Sequence, residues 1–167
     1  MGCRTAYRDG EGTSQNMEEA FRWIKKAAQN DIKDAMFDTG LMCYRGEGTK
    51  MDVVDAFAWC KKAAENGVVN AMNCVGSFYR NGEGVMKDVK KAAKWYERFA
   101  MGGNEYAAFN LAYLYDKGED GFSADNSKAF IWYKRAAEMG HATAMNNLAC
   151  AYDNGDGTPQ NYELAGY

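Results

Sequence analysis

Tryptophan keeps time in this chain. Trp23, Trp59, Trp95 and Trp132 stand 36, 36 and 37 residues apart, and there is no Trp elsewhere. The segment AFRWIKKAAQN, from Ala20, returns 36 residues later as AFAWCKKAAEN, from Ala56. Ala35, Ala71, Ala107 and Ala144 keep the same steps, as do the glycine pairs Gly10/Gly12, Gly46/Gly48, Gly82/Gly84, Gly118/Gly121 and Gly155/Gly157. The fourth copy absorbs one extra residue, where KGEDG replaces RGEG. A fixed period of about 20–50 residues marks a stacked-repeat architecture, in which each unit packs only on its neighbours.

Each period carries two helical patterns. In the second copy, AMFDTGLMCYR sets Ala35, Thr39 and Cys43 on one face; the equivalents are Ala71, Val75, Tyr79, then Ala107, Leu111, Tyr115, then Ala144, Leu148, Tyr152. Gly40, Gly76, Ala112 and Ala149 lie beside that face. Glycine in mid-helix is unfavourable, so its recurrence predicts a partner helix crossing close by. A Gly-x-Gly turn follows, and then Asn16, Asp52, Asp88, Asp125 or Asn161, each suited to cap the next helix. The second pattern reads Ala56, Trp59, Ala63 or Ala92, Trp95, Phe99, with Trp expected as the buried wedge, worth about 3–5 kcal/mol on replacement by Ala. Gly67, Gly103 and Gly140 fit a left-handed helix end, where the first copy has Asp31. Met36, Met72 and Met145 share a phase that suits core gap-filling.

The formal charge of −3 and pI near 5.3 leave no basic field for nucleic acid. No apolar run approaches the roughly 18 residues of a membrane span, and MGCRTAYRDG lacks the apolar core of a secretory leader. Ala6, followed by Tyr7, stands where a myristoylation motif needs Ser or Thr. Cys3, Cys43, Cys60, Cys74 and Cys150 are odd in number and share no phase, which argues against a disulfide framework or a zinc site. Unpaired thiols favour the cytoplasm slightly.

Several motifs dissolve on inspection. RGEG and NGEG lack the Gly-Lys-Ser/Thr of a phosphate loop. DNGDGTPQN has glycines where a calcium loop needs oxygen ligands, and no closing Glu. His141, the single histidine, has no Ser or Cys at a spacing that suggests a triad. Lys90, Lys91 and Lys94 form a solvated face.

AMNCVGSFYRNGEGVMKDVKKAAKWYERFAMGG, Ala71 to Gly103, resembles the Sel-one-like repeat, a relative of the tetratricopeptide repeat. Ala71, Gly76, Tyr79, Gly82, Gly84, Val85, Asp88, Lys91, Ala92, Trp95, Tyr96 and Ala100 carry the likeness, which extends along the whole chain. Cys43, Cys60 and Asp31 depart from it. The resemblance implies an all-α, right-handed α/α superhelix with units at 1–34, 35–70, 71–106, 107–143 and 144–167. It implies a scaffold or adaptor for a protein or peptide partner, not an enzyme, with no cofactor, nucleic acid or membrane. The alternative is a β-lactamase or penicillin-binding activity, as in cysteine-rich relatives whose paired cysteines this chain lacks. The sequence opens inside a first helix and closes before the next Trp would fall, so uncapped ends could make head-to-tail or homodimer contacts.

By analogy with tetratricopeptide grooves, the inward positions of the first helices are Phe37, Leu41, Tyr44, Arg45; Asn73, Ser77, Arg80, Asn81; Phe109, Tyr113, Asp116, Lys117; and Asn146, Cys150, Asp153, Asn154. They vary between copies where the packing positions repeat. Asn can pair with a peptide backbone, Phe and Tyr can form pockets, and Arg45, Arg80 and Lys117 could receive a carboxylate. Phe37 and Phe109 could equally pack inside the structure.

Overall fold

Polar caps launch the second helix of every pair. The computed structural model describes residues 16–166, so Cys3, Tyr7, the Gly10/Gly12 pair and Tyr167 lie outside the described residues. Asn16, Asp52, Asp88, Asp125 and Asn161 each accept the amide three residues on, at 2.9–3.0 Å. They open α1 (Met17–Gln29), α3 (Val53–Glu65), α5 (Val89–Met101), α7 (Asn126–Glu138) and the short α9 (Tyr162–Ala165). Between them run α2 (Lys33–Arg45), α4 (Val69–Asn81), α6 (Glu105–Lys117) and α8 (Ala142–Asn154). These caps stand where the sequence put them.

The helices group into two compact units, Met1–Lys87 and Asp88–Tyr167. Within the first, α2 packs on α1 and α3, and α4 packs on α3; within the second, α5 to α9 pack in the same neighbour-to-neighbour way. Short turns enforce this. Gly67, Gly103 and Gly140 take φ of 83°, 89° and 97° at the turns that follow α3, α5 and α7. Asp31 takes the equivalent place at φ 60°, a conformation that Asp tolerates better than most side chains, and its carboxylate lies 3.0 Å from Lys62 Nζ.

The glycine turns bring the backbone close to an earlier helix. A Cβ on Gly48 would run into the Met17 carbonyl, and one on Gly157 into the Asn126 carbonyl. Only glycine fits there. The fourth copy accommodates its extra residue locally: Glu119 and Phe122 pair as an isolated bridge, with Asp120 at φ 33°. The closing bond survives, since the Asp125 amide reaches the Tyr115 carbonyl at 2.7 Å. The equivalent bonds are Asp52 to Cys43 at 2.9 Å and Asn161 to Tyr152 at 2.8 Å.

On α2, Ala35, Thr39 and Cys43 are buried as the face predicts, and Ala71, Val75 and Tyr79 are buried on α4. On α6, Ala107 and Leu111 are buried while Tyr115 is half-buried. Thr39 donates its hydroxyl to the Ala35 carbonyl at 2.7 Å, which satisfies the one buried polar residue of the described core. A Cβ on Gly40 would lie 2.6 Å from Cys60 Sγ and 3.2 Å from the Ala56 carbonyl oxygen, so α2 and α3 do cross where the sequence places glycine.

Two expectations fail. Met36 and Met72 fill the core, but Met145 is 47% exposed. More consequentially, the tryptophans are not the buried wedge: Trp23 is 50% exposed, and Trp59, Trp95 and Trp132 are half-buried. The residue after each Trp goes inward instead, as Ile24, Cys60, Tyr96 and Tyr133, all 4% exposed or less. The buried stripe therefore runs i, i+4, i+8, through Ala20, Ile24, Ala28 or Ala92, Tyr96, Ala100. Each indole lies at the edge of that stripe under a basic side chain three residues on. Lys26, Lys62, Arg98 and Arg135 stand 5.2–5.7 Å from the ring centroids. An amphipathic ring capped by a cation is stable at a wet boundary.

Candidate functional site

The first helices of each unit line an open depression. In the first unit Leu41, Tyr44 and Arg45 come from α2, while Asn73, Ser77 and Asn81 come from α4. Cys60, Cys74, Phe78 and Glu83 complete a space of about 260 Å³. Tyr44 donates its hydroxyl to Glu83 Oε2 at 3.1 Å, and Asn81 Nδ2 donates to Glu83 Oε1 at 3.0 Å. That bond to the carboxylate holds the Tyr44 phenol above its ordinary value. The Tyr44 ring meets Phe78 edge-on at 5.7 Å.

The second unit has a larger depression, about 440 Å³. Phe109, Tyr113, Asp116 and Lys117 of α6 form one wall. Phe130 and Tyr133 of α7 form the next, and Thr143, Asn147, Cys150 and Asn154 of α8 face them, with Asp156 beyond. Tyr133 donates to Asp116 Oδ2 at 3.2 Å, and Lys117 Nζ lies 3.1 Å from the same oxygen. Burial, with the Asp116 charge next, pushes the Tyr133 hydroxyl well above its usual range, so it stays a donor. The Asp116 hydrogen bond and charge hold Lys117 above its ordinary value.

Of the positions read from the sequence, Leu41, Tyr44, Arg45, Asn73, Ser77 and Asn81 border the first depression, and Phe109, Tyr113 and Lys117 the second. Asp116, Cys150 and Asn154 also border the second. Phe37, Arg80, Asn146 and Asp153 line neither, and the α8 wall uses Asn147 where the sequence offered Asn146. The second helix also contributes Phe130 and Tyr133, which lie outside the inward positions of the first helices. Its signal was present in the family pattern, which follows Trp with Tyr, but the inward pointing of that Tyr was not.

His141 has a structural task. Its Nδ1 accepts the Ala144 amide at 3.2 Å, capping α8, and its ring stacks on Phe109 at 4.3 Å with 11° between the planes. Cys43, Cys60, Cys74 and Cys150 are free thiols. Burial pushes the Cys60 thiol up to about 12 and raises Cys43 and Cys74, which leaves these three poor nucleophiles. No group of three or more His, Cys, Asp or Glu among the described residues is arranged to hold a metal ion. No described helix is long and apolar enough to cross a membrane.

The Sel1 repeat matches at residues 1–32, 33–68, 69–104, 105–141 and 142–167. A protective antigen of uropathogenic Escherichia coli strains, displaying an SLR fold, is similar at 31% identity and a TM-score of 0.92 over 97% of this chain. A Sel1 repeat protein from Oxalobacter formigenes is similar at 33% identity and a TM-score of 0.91, again over 97%. This chain spans 34% of the first of those proteins and 66% of the second. Cysteine rich protein B of Helicobacter pylori, at 21% identity and a TM-score of 0.58, is covered to 96% of its length by 81% of this chain and shares the fold alone. No curated protein matches the chain. With the repeat matched from its first residue to its last, and its helix pairs built as that repeat requires, the chain belongs to the Sel1 repeat family of α/α solenoid proteins.

Proposed function

We propose that the chain is an interaction scaffold that holds an extended segment of a protein partner against the first-helix faces of its repeats. Sel1 repeat proteins are in general protein-interaction scaffolds. One observation carries the finer reading. The repeating alanines Ala35, Ala71, Ala107 and Ala144 are buried at 0% exposure, while varying first-helix positions such as Tyr44, Arg45, Asn73, Tyr113 and Lys117 border the depressions. Packing accounts for the first set, and the second presents its polar and aromatic groups to open space. The open set has the right chemistry for a peptide: amide and hydroxyl groups for its backbone, aromatic rings for its side chains. Phe37, Arg80 and Asn146 would add contacts outside the two depressions.

The hydrolase alternative gains no specific observation, since His141 is engaged in capping and stacking and three of the thiols are held protonated. The scaffold reading is tested by affinity capture with the wild-type chain and an Asn73→Ala/Tyr113→Ala variant of unchanged melting temperature. A partner retained by the first and lost by the second supports it. Equal recovery would remove the depressions from the binding surface.

A further inference from the structure

We propose that the depression of the second unit recognises a lysine or arginine side chain on an extended partner segment. This rests on the scaffold reading and adds the partner's chemistry. Phe109 is the hub of an aromatic wall, with Tyr133 at 5.9 Å and Tyr113 at 6.4 Å between ring centroids. Ring faces of this kind attract cations. Two carboxylates, Asp116 and Asp156, and one ammonium, Lys117, border the space, so its charged lining sums to one negative charge. The first depression is bordered by Arg45 and Glu83, which balance.

Asp116 is held in place by the Tyr133 hydroxyl, and Asp156 accepts from Asn154 Nδ2 at 3.2 Å. The Lys117 side chain is 57% exposed, so it can swing to water and leave Asp116 to an incoming cation. Asn147, Thr143 and Asn154 are placed along the opposite wall, where a peptide backbone would find donors and acceptors. An acidic side chain would meet ring faces and carboxylates of its own sign. A long apolar one would strip water from the Asp116 carboxylate and add no hydrogen bond or charge in exchange. A lysine or arginine stem lies on the rings while its head reaches the carboxylate.

The test is a displayed library of random heptapeptides selected on the full chain, with enriched peptides resynthesised and titrated by calorimetry. The expected result is enrichment of peptides carrying Lys or Arg, whose change to Gln weakens binding about tenfold on the wild type. On an Asp116→Asn/Asp156→Asn variant that melts like the wild type, the same change should make no difference. Asn at position 116 can still accept the Tyr133 hydroxyl, so the wall is kept. Enriched peptides without a basic residue, or a tenfold difference that survives in the variant, would overturn the cation assignment and leave the scaffold reading standing. No enrichment over an unrelated bait would overturn both.

Discussion

Neighbouring residues Trp95 and Tyr96 show how one position can mark a repeat while the next one holds it together. Tyr96 is 2% exposed and Trp95 is half-buried under the Arg98 guanidinium. Tyr96→Ala should therefore lower stability by about 3–5 kcal/mol. Trp95→Ala should cost only about 1–2 kcal/mol, from partial burial and the cation contact. Urea unfolding of both variants checks the order, and a larger loss at Trp95 would reinstate the indole as the wedge. Gly40→Ala tests the helix crossing. Its new methyl meets Cys60 Sγ and backbone of α3, so a loss of about 1–3 kcal/mol should outweigh the gain in helix propensity. Cys60→Ala in the same chain should recover part of that loss, because it removes the nearer clash.

At the scale of the element, the second helices are written in their first residues. Asp52→Ala should cost about 1 kcal/mol by thermal unfolding, because the Asp55 amide loses its acceptor. The Lys91 amide, then its ammonium, holds the Asp88 carboxyl below the usual carboxylate range, and Lys128 does the same for Asp125. Both folded values lie below the unfolded value of about 3.9, so the caps contribute in full above that pH. Their contribution is lost as pH falls through the folded values. Acid titration of the melting temperature should show this loss, and Asp88→Asn/Asp125→Asn should flatten that part of the profile. Second-helix starts, turns and even the Asp31 exception were legible because caps and left-handed turns are chemistry of one or two adjacent residues, whereas the Asn104 and His141 caps of α6 and α8 were not read from the sequence. The inward phase of α1, α3, α5 and α7 was not: Trp and the residue after it are both apolar in Ile24, Cys60, Tyr96 and Tyr133, and 100° of rotation separates the two readings.

At the scale of the molecule, burial sorts the described cysteines. Cys150 is exposed, whereas Cys43 and Cys60 are buried and their thiols are shifted up, so at pH 8 both remain protonated. Iodoacetamide should modify Cys150 quickly and leave Cys43 and Cys60 until denaturant opens the first unit, as peptide mass spectrometry would read. Equal rates at Cys60 and Cys150 would contradict the packing of α3 on α2. The same division governs the surface. First-helix residues such as Tyr44, Asn73 and Tyr113 could be named as open positions because they break the repeat. Their grouping into two depressions of different charge required neighbours from other helices.

The repeat, its class of fold and the ends of its helices are properties of spacing and of local backbone chemistry, and these act along the chain, so they can be read there. Which apolar residue faces in, whether Asn146 or Asn147 joins a wall, and how Tyr133 comes to hold Asp116 depend on rotation and close approach between helices. Those are settled by packing volume and hydrogen-bond geometry across elements, where residues 17 apart along the chain, such as Asp116 and Tyr133, meet side chain to side chain.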